Sequence, residues 1–545
     1  MKTYSTRETV DFVVIGSGAA GGVMAKELST AGFSVVVLEQ GPWLKEKDFD
    51  HDELAHCFHS KLTNDQAKQP YTFRKDDSET AAPVCAIEYG RGVGGGTVHF
   101  TGNYWRFHES DFRERSLYGE IAGTGFADWP ISYAELEPYY TKAEWELGIS
   151  GAGGVNPFEG PRSKNYPLPP MPVKSSGVLF ERGARKLGLH PYPAPVAILS
   201  QPYNGRGACT HCGFCESFGC ETRAKSSTLV SVIPAAVKTG RCEIRTGSYV
   251  RKISVDKQGR ANGVIYFDGR KRERMQRARA VVLCANGVET PRLLLQSKPG
   301  GLANSSGLVG KYLMWDNGGV VHGLFEHPLN EYKGIQVTRV LHDFYRSDPK
   351  RGFYGGGGID ARFDYTPIRF ALEGMPEDTP KWGAGFKKSL GEMFNRTMML
   401  LSHSTSLPQA KNSVTLDPTV KDAWGLPAAR ITFAQHPDDV QTMRWLQDRQ
   451  QEILEAAGAL RTWRFPVDIF YANRHLMGTC RMGVDSRTSV VNPFSRAHDV
   501  SNLWMVDGSN FVTSARQQPT ATIQALAYRA ADHIVRNRSL LHLKV

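Results

Sequence analysis

Long hydrophobic runs are missing from this chain. No stretch approaches the ~18 consecutive apolar residues of a membrane span, so no spanning helix is expected. Met1–Glu8 is short and polar and leads straight into an apolar run, with no hydrophobic segment before a cleavage site. No signal peptide is read there, and the chain by itself is expected in the cytoplasm. A folded subunit can still be exported when a partner carries the signal. Internal repeats, low-complexity tracts, zinc-finger and RNP motifs and basic runs interleaved with aromatics are also missing. Nucleic acid is therefore not an expected partner, despite a formal charge of +11 and a pI near 9.1. That excess reads as a scattered solvated surface. It would favour acidic redox proteins or anionic lipid among partners.

At 545 residues the chain exceeds one hydrophobic core, so two or more domains are expected. Val10–Leu38 reads as strand, turn, helix, strand. A helix is expected around Tyr133–Leu147, because Ser132 stands before it and Glu135 lies three residues on. Leu179–Leu187, Arg223–Val237 and Thr520–Val535 also read as helices. From Cys242 to Val282 short alternating segments suggest a meander ending at Ala280–Cys284. The middle region, about Leu313 to Phe465, reads as many short aromatic-rich strands with few long helices. From Tyr471 the chain returns to loop, strand and helix.

Gly16-x-Gly18-x-x-Gly21 follows an apolar strand and opens a helix. The first glycine makes a tight turn, the second lets backbone approach a pyrophosphate, and the third lets helix pack on strand. Free amides at the helix start suit anionic phosphates. Glu39 ends the second strand, where an acid can bond a ribose hydroxyl and would repel the extra phosphate of NADP. FAD is favoured over NAD by three later features. Leu38–Pro42 reads like the end of this unit in flavoproteins, and Gly92–Thr97, with Gly95 and Gly96, makes a second flexible loop. Asp507 and Gly508 follow the strand Leu503–Val506. Val250, in the meander, joins the expected cofactor contacts.

Of nine cysteines, Cys57, Cys85, Cys242, Cys284 and Cys480 stand alone, as buried small hydrophobes do. Cys209, Cys212, Cys215 and Cys220 have the spacing C-x2-C-x2-C-x4-C. Thiolates this close in one loop can converge on an iron–sulfur cluster, although the last spacer is one residue longer than the bacterial ferredoxin run. Structural zinc, disulfides and packed free thiols remain alternatives.

With these pieces placed, the chain resembles the glucose–methanol–choline (GMC) oxidoreductases from end to end. The resemblance rests on VVIGSGAAGGVMAKEL, on RGVGGGTVHFTGNYWR (Arg91–Arg106) and on CANGVETPRLLLQS (Cys284–Ser297). It continues through LVGKYLM (Leu308–Met314), Asn412–Phe433, HLMGTCRMG (His475–Gly483) and LWMVDGSNF followed by QPTATIQALAYRAAD. It implies a mixed α/β fold: a Rossmann-like FAD domain and an antiparallel-sheet substrate domain. The boundaries implied are 1–312 for the FAD domain, 313–465 for the substrate domain and 466–545 for a return to the FAD domain.

The resemblance also implies oxidation of an alcohol, with hydride passing to the flavin and a base taking the hydroxyl proton. His475 matches the family's base, and imidazole suits the task near neutral pH. The second catalytic position, a histidine or asparagine in relatives, is matched by Gln518. A glutamine can hold a hydroxyl but cannot be an equivalent base; neighbouring Gln517 competes for the assignment. His99 matches a position where some relatives attach FAD covalently and others do not. Asn103, Trp105 and Arg106 are expected around the flavin, with packing as the alternative for each. His403 is a speculative pocket liner, with an ordinary strand histidine as its alternative. The cysteine run looks like that of multi-subunit sugar dehydrogenases in the family, of the glucoside 3-dehydrogenase and gluconate 2-dehydrogenase type, some of which carry a cluster. By that resemblance the expected enzyme oxidises a secondary hydroxyl of a sugar, glycoside or sugar acid. Electrons would pass through an iron–sulfur cluster to a cytochrome c or quinone. A small export subunit would then place it in the periplasm. An oxygen-reducing oxidase and a non-catalytic flavin-bearing assembly subunit are the rival expectations.

Overall fold

Strand Val10–Ile15 is paired in parallel on both flanks, with Val35–Leu38 on one side and the second half of Glu273–Leu283 on the other. Cys242–Arg245 extends the sheet beyond Val35–Leu38, and Leu503–Met505 returns from late in the chain to pair with Glu273–Leu283. Val10, Phe12, Val13 and Val14 have no exposed surface. Such unbroken apolar runs are what a strand covered on both faces requires. Helix Ala19–Thr30 packs on this sheet beside Val232–Lys238 and Thr520–Arg536. The computed structural model describes residues 2–315, 317–467 and 474–539.

The first half of Glu273–Leu283 belongs to an antiparallel meander with Ala261–Phe267 and Tyr249–Val255. The expected meander is therefore present, but Cys242–Arg245 is an edge of the parallel sheet. A second, six-stranded antiparallel sheet runs Arg461–Arg464, Val320–Leu324, Thr397–Ser404, Gly357–Arg362, Arg339–Leu341, Tyr192–Pro193. Its last strand comes from outside residues 313–465. Side chains of Thr397–Ser404 alternate, as a strand period dictates. Met398 and Leu400 pack under helix Pro437–Ala457, whereas Met399, Leu401 and His403 line a cavity on the other side. A small third sheet joins Ser413–Lys421, Pro427–Thr432, Tyr71–Arg74 and Ala82–Pro83.

The helix Tyr133–Leu147 forms as read: the Glu135 amide donates to Ser132 Oγ at 3.2 Å, and the Glu135 carboxylate accepts from the Ser132 amide at 2.8 Å. Leu179–Leu187 is the end of a longer helix, Ser175–Lys186. The middle region is mostly short strands with few long helices, as expected. It also holds the longest helix among the described residues, Pro437–Ala457, whose buried face carries Met443, Leu446, Ile453 and Leu454. One other expectation needs correction. The segment expected as helix Arg223–Val237 is helical only over Val232–Lys238. Its first part is drawn out against the nucleotide loop, where Thr228 Oγ1 donates to the Ser17 carbonyl at 3.3 Å. Tyr471, taken as the start of the C-terminal return, lies outside the described residues.

Candidate active site

A cavity of about 960 Å³ runs from the first glycine loop to the inner face of the six-stranded sheet. Its volume is at the upper end for small-molecule sites. At the nucleotide end Gly16, Gly21 and Gly95 leave no room for a side chain. A Cβ on Gly16 would lie 2.5 Å from the Cys284 carbonyl oxygen, and one on Gly21 would lie 2.0 Å from the Gly16 oxygen. Gly18 and Gly95 face each other, since a Cβ on Gly95 would come within 2.8 Å of the Gly18 Cα. The two glycine loops thus close on one another, and Gly96 looks onto open space. Gly16, Gly18, Gly95, Gly96, Val250 and Gly508 all line the cavity, whereas Gly21 serves the helix–turn contact behind it.

Glu39 and Asp507 are buried and line this end. Glu39 accepts from the Ser17 hydroxyl at 2.7 Å, the Ser17 amide at 3.1 Å and the Gly41 amide at 2.9 Å. Asp507 accepts from Thr290 Oγ1 at 2.6 Å, the Ser509 amide at 2.8 Å and the Asn286 amide at 3.1 Å. Burial pushes both carboxyls up, and these donors pull them back. Asp507 therefore also ties the Cys284–Asn286 turn to the C-terminal loop.

The cavity lining carries buried polar atoms without hydrogen-bond partners among the described residues. They are His99 Nε2, both amide atoms of Asn103, Gln40 Oε1 and Gln296 Oε1, all on lining residues. Buried polar atoms are normally satisfied, so a lining with several orphans fits a polar ligand such as FAD. Gln296 was missed in the sequence because nothing in a helix end marks which side chain turns toward a ligand. Burial lowers His99 to about 4 and keeps its imidazole neutral. Two of the three residues expected around the flavin pack elsewhere. Arg106 is held by Glu144 at 2.7 Å and Glu137 at 3.0 Å, away from the cavity. Trp105 donates its Nε1–H to the Pro195 carbonyl and meets His403 edge-on, with ring centroids 5.4 Å apart.

His475, Gln518 and His403 all line the same cavity. Gln518 Nε2 lies 3.0 Å from His403 Nδ1, and His403 Nε2 lies 2.8 Å from Asp360 Oδ2. Asp360 is fully buried and is also bonded by Arg362 at 2.5 Å. The same Gln518 nitrogen lies 2.9 Å from His403 Nε2, within reach of both ring nitrogens, and Gln518 Oε1 has no partner among the described residues. Gln517 turns the other way, to the Arg106 carbonyl and to Tyr345 Oη at 3.1 Å. Of the two glutamines, Gln518 lines the cavity and Gln517 does not. His403 does face the cavity.

The cysteine run folds as a loop over the flavin end: the Ser217 amide donates to the His99 carbonyl at 2.7 Å. Lys225, buried, donates to the carbonyls of Cys215, Phe218 and Phe100, pinning the loop to the segment after His99. All four thiols are free. They do not form a clear four-sulfur shell, however. Cys215 sits among Met171, Val196, Ile198 and Ile335. Cys212 groups with His51 and Glu221, whose donor atoms lie within 4.8 Å of one another.

Comparison with known proteins agrees with this geometry. The GMC oxidoreductase family models match residues 10–328 and 408–527. The chain is 35% identical to a 2-methyl-1,2-propanediol dehydrogenase of Mycolicibacterium austroafricanum, over 98% of this chain and 97% of that protein. It is 31% identical to a gluconate 2-dehydrogenase flavoprotein of Pantoea cypripedii, over 96% and 93%. Its fold matches the formate oxidase of Aspergillus oryzae RIB40 with a TM-score of 0.68, at 15% identity, covering 99% and 100% of the two chains. Loops, cavity and family models together place the chain in the GMC oxidoreductase family, as an FAD-dependent enzyme.

Proposed function

We propose that the protein is a dehydrogenase that oxidises a hydroxyl of a sugar or related polyol to the carbonyl. The observation that carries this is one cavity lined both by His475 and Gln518 and by the two glycine loops suited to a dinucleotide. FAD, when bound, supplies a two-electron acceptor for the hydride of the carbinol carbon. His475 is the base for the hydroxyl proton, a role worth about 10²–10⁴ in rate. Gln518 accepts a hydrogen bond from substrate through Oε1, while His403 and Asp360 hold its amide in place. A neutral, buried His99 with an unpaired Nε2 is suited to contact or covalent attachment of the flavin.

Electron exit through an iron–sulfur cluster on Cys209, Cys212, Cys215 and Cys220 is the second part of the reading. It rests on their spacing, on their free thiols and on the loop's contact with His99. A cytochrome as acceptor and periplasmic export with a small subunit belong to the same reading. The lack of a closed sulfur shell favours one rival, an oxidase in which oxygen takes the electrons. Anaerobic bleaching of the flavin across sugars, glycosides, gluconate and simple alcohols tests the first part. Iron and sulfide analysis of the same sample tests the second. Peroxide formed at turnover rate from iron-free protein would overturn the cluster route.

A further inference from the structure

Beside His475 the cavity wall consists of paired charges. Arg474 is bonded to Glu216 and, at 2.7 Å, to Glu88. Arg362 is bonded to Asp360 at 2.5 Å and to Asp364 at 3.1 Å. Arg369 is bonded to Glu373 at 3.0 Å and lies 3.8 Å from Glu216. Glu216 and Asp364 both line this wall, and burial together with Glu216 raises the Asp364 carboxyl. Glu216 belongs to the cysteine loop, so that loop forms one wall of the substrate end.

The charge count decides what this wall accepts. The guanidiniums of Arg362, Arg369 and Arg474 face the carboxyl groups of Glu88, Glu216, Asp360, Asp364 and Glu373. Among the described residues no guanidinium here lacks a carboxylate partner, and one proton on Asp364 would still leave no positive surplus. A substrate carboxylate would have to displace an existing pair or lie against an acid, and like charges held together in a desolvated site are costly. A neutral polyol has no such cost. Its adjacent hydroxyls donate to carboxylate oxygens and accept from guanidinium N–H groups, and Asp364 Oδ1 has no partner among the described residues.

We propose that Glu216 and Asp364 form a hydroxyl-binding subsite that selects a neutral vicinal diol or sugar over a sugar acid. The inference rests on the dehydrogenase reading above and narrows its substrate. It also departs from the similarity to a gluconate dehydrogenase flavoprotein.

The test is the kcat/KM for anaerobic flavin reduction of the FAD-loaded protein with glucose, 1,2-propanediol and gluconate. The better neutral substrate should exceed gluconate by about tenfold or more, and Asp364→Asn and Glu216→Gln should each narrow that ratio several-fold by removing one acid from the wall. If these variants lose FAD, competitive inhibition of the wild-type protein decides: gluconate and glycerate should bind several-fold more weakly than glucose and glycerol. Preference for gluconate, tighter carboxylate inhibition, or an unchanged ratio in variants that keep FAD would overturn the subsite. Failure of every hydroxyl compound to bleach the flavin would instead overturn the dehydrogenase reading, and this inference with it.

Discussion

The two ends of the cavity are built by different means. The nucleotide end is backbone: glycine turns in van der Waals contact, amides and a helix start, with Glu39 and Asp507 held by neighbouring N–H and O–H groups. The substrate end is side chain: Gln518, His403, Asp360 and the arginine–carboxylate pairs come from widely separated segments and hold one another. A backbone site is intolerant of added volume, whereas a side-chain network fails by losing a contact. The first kind of failure should remove the cofactor, and the second should leave it bound and slow the reaction.

Gly21→Ala should break the nucleotide end most completely. Its Cβ would meet the Gly16 oxygen at 2.0 Å, a backbone atom that cannot swing away. The purified variant is expected to lose its flavin absorbance, with a destabilisation of about 1–3 kcal/mol in denaturant unfolding. Retention of stoichiometric FAD would show that the turn yields more than its packing indicates.

Gln518→Leu should sharpen the contrast from the other end. Flavin content is expected to stay near that of the wild type, while kcat/KM falls about tenfold to a hundredfold, as for one hydrogen bond lost in a buried polar site. Unchanged kinetics would remove Gln518 from the substrate's contacts.

A further prediction concerns pH. Burial lowers His99 to about 4 and His342 and His322 to about 3. In the unfolded chain these residues protonate near 6.5, before they do in the fold. The unfolded state thus binds more protons between those values, and stability is lost as pH falls from 6.5 toward 4. Each such histidine contributes a slope of up to about 1.4 kcal/mol per pH unit. Thermal unfolding from pH 7 to 4.5 should show a steep fall in Tm, and His322→Phe should flatten it. A flat wild-type profile would contradict the buried neutral assignment.

The nucleotide end was the more legible in the sequence. Gly16, at positive φ, and Gly21, packed on the Gly16 oxygen, are set by a local turn, and a local turn leaves a local pattern. The capped helix at Ser132 was readable for the same reason. The meander was found, but Cys242–Arg245 had to be seen beside Val35–Leu38 to be recognised as a parallel edge. Pro437–Ala457 was not singled out, although His436 and Asp439 mark its start and its buried positions recur at helical spacing. At the substrate end the family resemblance singled out His475 and Gln518, but showing which of Gln517 and Gln518 lines the cavity needed the Tyr345 and His403 contacts. Glu216 and Asp364 left no signal, because a carboxylate paired across 148 residues looks like any surface acid in one dimension. Arg106 failed for the opposite reason: the segment His99–Asn103 before it lines the cavity, but its own charge is taken by Glu144.

The most direct measurement is anaerobic flavin reduction by a neutral sugar or diol in the wild-type protein and in His475→Ala, at matched flavin content. Bleaching should occur in the wild type and slow by about 10²–10⁴ in the variant, with the oxidised flavin spectrum retained. A variant that reduces its flavin at the wild-type rate would contradict His475 as the base.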